Sequence, residues 1–266
     1  MKKQLRVALS AFLMLSCSCP LATAQTADAT TGATDAANST SAGQIAEYAI
    51  PSAMVLYGLV SLRSGTLRKF DCQTRGEILE DNQLWHTDAE NYLQFAPAAA
   101  ACVLKFTGVQ SKNSLLDMTL MYGLSNAVQA SIVTGAKSIT NRERPDGSNH
   151  LSFPSGHTAT AFVAAEFLHQ EYGYKSVWID IAGYGMAAWV GAARVYKNRH
   201  WVSDVIAGAG VGMLTTKGVY WAYPKLKKKW FGKYEHAKHG TDAKVQITPV
   251  LEYNGSGANL VLVCQF

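Results

Sequence analysis

Residues 154–169 read PSGHTATAFVAAEFLH: a Pro-Ser-Gly turn, a histidine, and then a run of alanine, phenylalanine, valine and leucine interrupted by the acid Glu166. The turn punctuates the chain, and the run behind it has the length and alanine content of a helix rather than a strand. The stretch predicts a helix whose mouth carries Ser155, Gly156 and His157. The same rhythm recurs on both sides. Apolar-rich segments at Ile45–Leu62, Tyr92–Phe106, Ser114–Thr134, Ser176–Val195 and Val202–Tyr220 alternate with short polar breaks, and Gly76–Gln83 suggests a further short helix. In a chain of 266 residues this pattern implies an all-α fold, a helical bundle of about six core helices around one core.

Three polar clusters fall where one expected helix ends or the next begins. They are Lys137 to Arg144-Pro145, Pro154-Ser155-Gly156-His157, and Arg194 to His200 and Asp204. In an up-and-down bundle such junctions can meet at one end and form a single pocket. Its inventory suits a phosphate. Lys137, Arg144 and Arg194 supply three cations, and each guanidinium fork can bind two oxygens. Ser155 and Gly156 offer helix-mouth amides to an anion, with close backbone approach at the glycine. Displacement at phosphorus needs a nucleophile and a proton donor for the leaving oxygen. Asp204, four residues after His200, can accept from one nitrogen of that ring and leave the other more nucleophilic. That assigns attack to His200 and protonation to His157. The cations already offset the developing charge and no carboxylate cluster stands beside them, so no metal or other cofactor is expected.

Taken together, the clusters resemble the signature of the type 2 phosphatidic acid phosphatase superfamily, which includes class A acid phosphatases, lipid phosphatases and vanadium haloperoxidases. The pattern is Lys, six residues, Arg-Pro; Pro-Ser-Gly-His; then Ser-Arg, five residues, His, three residues, Asp. Ten of its eleven named positions are met, and the departure is Ala193 where the family usually has serine. The resemblance runs from about Tyr92 to Tyr220. It implies the helical-bundle fold and a phosphohistidine mechanism. The leading expectation is a phosphatase acting on an envelope lipid phosphate of lipid A, polyprenyl diphosphate or phosphatidate type. The alternatives are a non-specific acid phosphatase taking small phosphomonoesters, a vanadium haloperoxidase and a non-catalytic phosphate-binding scaffold.

Residues 1–24, with Lys2, Lys3 and Arg6, an apolar run and Ala22-Thr23-Ala24, read as a signal peptide. Residues 25–44 lack aromatic residues and apolar periodicity and read as a flexible linker. The phosphatase-like domain is expected over residues 45–223, and residues 224–266 hold a basic segment and a short C-terminal β-hairpin around Asn254-Gly255-Ser256-Gly257. The formal charge of +5 is concentrated late, at Lys225, Lys227, Lys228, Lys229 and Lys233 among aromatic residues. That segment suits peripheral contact with an anionic membrane, and no nucleic-acid motif accompanies it. Mean hydropathy near zero, with Asp117, Asn126, Gln129 and Glu166 inside the helical segments, points to a periplasmic domain, soluble or associated with the inner membrane. Cys72, Cys102 and Cys264 would remain after signal removal, an odd number without a CxxC pair, so no disulfide framework or zinc site is indicated. His150 and His169 are read as a loop residue and a helix-face residue, and Trp85 and Trp189 as packing.

Overall fold

The computed structural model describes the backbone of residues 33–80, 87–239, 246–254 and 257–265, and the side chains of residues 47–80 and 87–229. The expected signal peptide and Trp85 lie outside the described residues. Eight helices are described: α1 Ala33–Ser61, α2 Gly65–Glu80, α3 Glu90–Leu93, α4 Ala96–Phe106, α5 Leu115–Thr140, α6 Gly156–Tyr172, α7 Val177–Tyr196 and α8 Val202–His239. The chain divides into two units, Met1–Tyr220 and Trp221–Phe266. In the second, β1 Gln246–Asn254 and β2 Gly257–Gln265 pair antiparallel, and whether the hairpin packs on anything lies outside the described side chains. The fold class rests on the helices of the first unit.

The opening stretch is the centre of that unit. Twelve residues of α6 are buried, Phe162, Phe167 and Glu166 among them, the pattern of a helix enclosed on all sides. It packs against α4, α5 and α7. One cluster joins Met54, Phe162, Ala187, Val190 and Met213, and a second joins Ala98, Met118, Phe167, Leu168 and Tyr172. Burying each phenylalanine contributes about 1.5–3 kcal/mol. Trp189 packs against the first cluster. His169 pairs with Asp180 at 2.9 Å, and His150 is exposed.

Three elements differ from the sequence expectation. α1 begins at Ala33, inside the stretch marked as a linker; its alanines favour helix, whereas the missing apolar periodicity spoke only to burial. α2 is a full helix of 16 residues rather than a short one. Its many charged side chains hid the period, because the few residues it buries are Asp71, Thr74 and Ile78. α5 runs past Thr134 to Thr140 and stops at Asn141, which adopts φ 44°. Asparagine tolerates that left-handed conformation, so Lys137 stands in the last turn of the helix rather than after it.

α5 is also inverted relative to a helix of a water-soluble bundle. Leu116, Leu120, Leu124, Val128 and Ile132 are exposed, while Ser125 and Gln129 are buried. The Ser125 hydroxyl donates to the Met121 carbonyl of its own helix. Of the polar residues that lowered the hydropathy of this helix, Gln129 is buried and Asp117 and Asn126 are half-buried, while a row of aliphatic side chains faces outward.

Candidate active site

The chain ends that meet at one end of α6 are tied together by backbone. Ser152 N–H donates to the Arg142 carbonyl at 2.9 Å, and Ser155 N–H donates to the Asp204 carbonyl at 3.0 Å. α8 passes so close to this turn that a methyl group on Gly208 would stand 2.6 Å from the Ser155 carbonyl oxygen. Between α7 and α8 the chain wraps around the Arg194 carbonyl, which accepts from the amides of Arg199 (3.1 Å) and His200 (3.3 Å), and Asn198 supplies the turn at φ 57°.

These junctions gather the eight residues singled out from the sequence. Lys137 lies within electrostatic reach of Arg144, Arg194 and Asp204, and its ammonium donates to the Leu151 carbonyl. His157 lies within the same reach of Arg144, Arg194 and His200. Ser155 is fully buried at the start of α6 and its hydroxyl accepts from Thr158. Its amide is already spent on Asp204, which leaves the first-turn amides of Gly156 and its successors as the helix-mouth donors. The Nε atoms of Arg144 and Arg194 are buried, with no hydrogen-bond partner. Buried guanidinium donors left unpaired are costly, and here two of them belong to one cluster of positive charge.

His200 is 2% exposed. Its Nδ1 lies 2.8 Å from the Ser152 carbonyl, so Nδ1 is the protonated nitrogen and the lone pair is on Nε2. Asp204 was expected to be the direct acceptor. Its Oδ2 instead lies 3.9 Å from Nδ1 and accepts from the Ser152 hydroxyl and the Trp201 amide, while Oδ1 accepts from Arg142 at 2.6 Å. Burial first, then the Lys137 and Arg194 charges, push His200 down from 6.5 to about 4, against the opposing pull of Asp204.

Sequence reasoning missed three site residues. Glu90 and Asn91 open the short α3. Glu90 is fully buried and accepts from Arg194 at 3.1 Å and Lys197 at 2.7 Å, while Asn91 Oδ1 lies 2.9 Å from His157 Nε2. Asp71 on α2 pairs with Arg142 at 2.8 Å. Before Asp71 nothing repeats or spaces it, so no sequence signal marked it; Glu90 alone had one, as an acid leading an apolar segment. Arg199 pairs with Asp146 in the loop at 2.9 Å. Ala193 is buried. Among the described residues, no group of three or more His, Cys, Asp or Glu side chains could hold a metal ion.

The family model described as PAP2 superfamily matches residues 115–228, the segment that carries all three clusters. Over this segment the chain is similar to the PAP2 superfamily. It is 40% identical over 138 residues to a lipid A 1-phosphatase of Porphyromonas gingivalis, covering 52% of this chain and 31% of that protein. It is 37% identical over 75 residues to the bacitracin transport permease protein BcrC of Bacillus licheniformis, covering 28% of this chain and 35% of that one. The chain thus spans about a third of the length of these two relatives. A solved structure, the first transmembrane PAP2 type phosphatidylglycerolphosphate phosphatase from Bacillus subtilis, is similar at 24% identity and TM-score 0.36, covering 84% of this chain and 97% of that one.

The expected placement as a periplasmic domain, soluble or merely associated with the inner membrane, does not stand. One relative is a transport permease by name, and α5 exposes a row of aliphatic side chains while burying Ser125 and Gln129. Averaged hydropathy misled because it counts Gln129 and Glu166 as if they met solvent, whereas both are buried. Among the described residues no helix is long and apolar enough to cross a membrane.

Proposed function

We propose that this PAP2 domain hydrolyses a phosphate ester carried on an envelope lipid, through a phosphohistidine on His200. The observation that carries the reading is the pair of buried, unpartnered Nε donors on Arg144 and Arg194 beside Lys137. A phosphoryl group would occupy those donors with its equatorial oxygens. Nε2 of His200 attacks phosphorus, the N–P bond forms, the bond to the leaving alcohol oxygen breaks, and His157 gives that oxygen its proton. Water then takes the phosphoryl group from His200, its proton passes to His157, and inorganic phosphate leaves. The lipid A 1-phosphatase relative supports a phosphorylated lipid as substrate, and the outward aliphatic face of α5 supports a domain seated among lipids. Positioned cations and first-turn amides supply the charge stabilisation that a metal would otherwise provide.

The purified chain in detergent should release phosphate from lipid A, undecaprenyl diphosphate or phosphatidate faster than from p-nitrophenyl phosphate, and should do so undiminished in EDTA. Equal turnover of the aryl ester would remove the lipid from the reading, and loss of activity in EDTA with recovery on a divalent ion would remove the metal independence.

The pH profile tests the nucleophile. His200 is neutral above about pH 4, so the acid limb of kcat/KM that it sets falls as pH drops through about 4. An ordinary, solvated imidazole would place that limb near 6.5. Measuring kcat/KM between pH 3.5 and 8 distinguishes the two.

A further inference from the structure

We infer that Asp71 and Arg142 are positioning residues for His200, acting through Asp204. This rests on the phosphohistidine reading above and deepens it. Arg142 lies between two carboxylates from different helices: one terminal nitrogen stands 2.8 Å from Asp71 Oδ2, and the other stands 2.6 Å from Asp204 Oδ1 and 2.9 Å from the Ser203 hydroxyl. Asp71 is anchored in turn, since it accepts from the Ser203 amide at 3.1 Å and from the Ser203 hydroxyl at 2.5 Å. The Trp201 ring covers the guanidinium at 5.6 Å. Arg142 is thereby fixed on three sides, and it fixes Asp204. The wall is close to the chemistry: Asp71, Thr74, Arg75, Pro145 and Trp201 line one small cleft together with His200.

The consequence lies in what His200 is denied. Asp204 spends its charge on Arg142 and stays 3.9 Å from Nδ1, and the ring proton goes to the neutral Ser152 carbonyl. A neutral acceptor supports a cationic ring less than a carboxylate does. The imidazole is then a better leaving group from phosphorus, and the second step, transfer to water, is fast. The charged groups facing His200 are Asp204 from α8, Lys137 from α5 and Arg194 from α7, and the titratable His157 faces it from α6. Arg142 and Asp71 tune the first of these.

Arg142→Gln removes the cation and frees Asp204 for Nδ1. The acid limb of kcat/KM should move up by about one pH unit, kcat should fall about tenfold with KM falling in parallel, and acid-labile phosphoenzyme should accumulate in rapid-quench experiments with labelled substrate. Arg142→Lys, which restores the charge, should return the limb toward the wild-type position. Asp71→Asn keeps the size of the side chain and should move the limb the same way by less, which carries the test if Arg142→Gln does not fold. A merely structural role would lower activity with the folded fraction and leave the limb where it was; that result overturns the inference. Absence of phosphoenzyme from both the wild type and an active Arg142→Gln, or its persistence in His200→Ala, would instead strike the phosphohistidine reading itself.

Discussion

Replacing His200 by alanine is expected to lower hydrolysis on the order of 10⁴-fold or more while leaving phosphate binding within a few-fold of the wild type. The two effects separate because the groups are separate. The cradle consists of Lys137, Arg144, Arg194 and the first-turn amides of α6, none of which hydrogen-bonds to the His200 side chain. That side chain is anchored through Nδ1 to Ser152, and its backbone amide, which holds the loop to Arg194, survives the substitution. Phosphate release from a lipid substrate measures the first quantity and equilibrium titration the second. A variant that keeps hydrolysing at the wild-type rate removes His200 as nucleophile, and a variant that also loses the anion shows that the ring helps to build the cradle.

The second large effect is on stability, far along α6 from the site. Glu166 is fully buried and Lys217 is nearly so, their charged atoms 2.9 Å apart. Gln170 and the Tyr184 hydroxyl donate to the same carboxylate, each at 2.7 Å. Glu166→Ala would leave the Lys217 ammonium enclosed without the Glu166 carboxylate, and breaking such a pair from one side costs about 3–5 kcal/mol. The double variant Glu166→Leu/Lys217→Leu removes both charges and should recover most of that loss, because the desolvation cost vanishes with the attraction. Reversible unfolding in detergent or by denaturant measures both. Equal stability of Glu166→Ala and wild type would show that water reaches Lys217 and that the burial seen for it does not persist.

The sequence was informative where chemistry or packing repeats. The helical bundle could be read because Ala, Phe, Val and Leu run through α6, and because the polar junctions at Lys137–Pro145, Pro154–His157 and Arg194–Asp204 fall where one apolar segment ends or the next begins. What stayed hidden was set by tertiary contact. Asp71 lies 71 residues before Arg142, and Glu90 lies 104 residues before Arg194; neither pairing leaves a local period. The membrane question failed for a different reason. A polar residue in an apolar segment is evidence about solvent only when its direction is known, and Ser125, Gln129 and Glu166 all face inward.

The order in which the site is assembled limits its portability. The segment matching the family model starts at residue 115, yet Asp71, Glu90 and Asn91 come from before it. Excised on its own, that segment would carry every group assigned to bond making and breaking, but Arg142 would lose Asp71, Arg194 would lose Glu90, and His157 would lose Asn91. The reactive half is thus borrowed together with its scaffolding or not at all. Transplanting the three clusters into another bundle would transfer a charge pattern without the acids that keep it from flying apart.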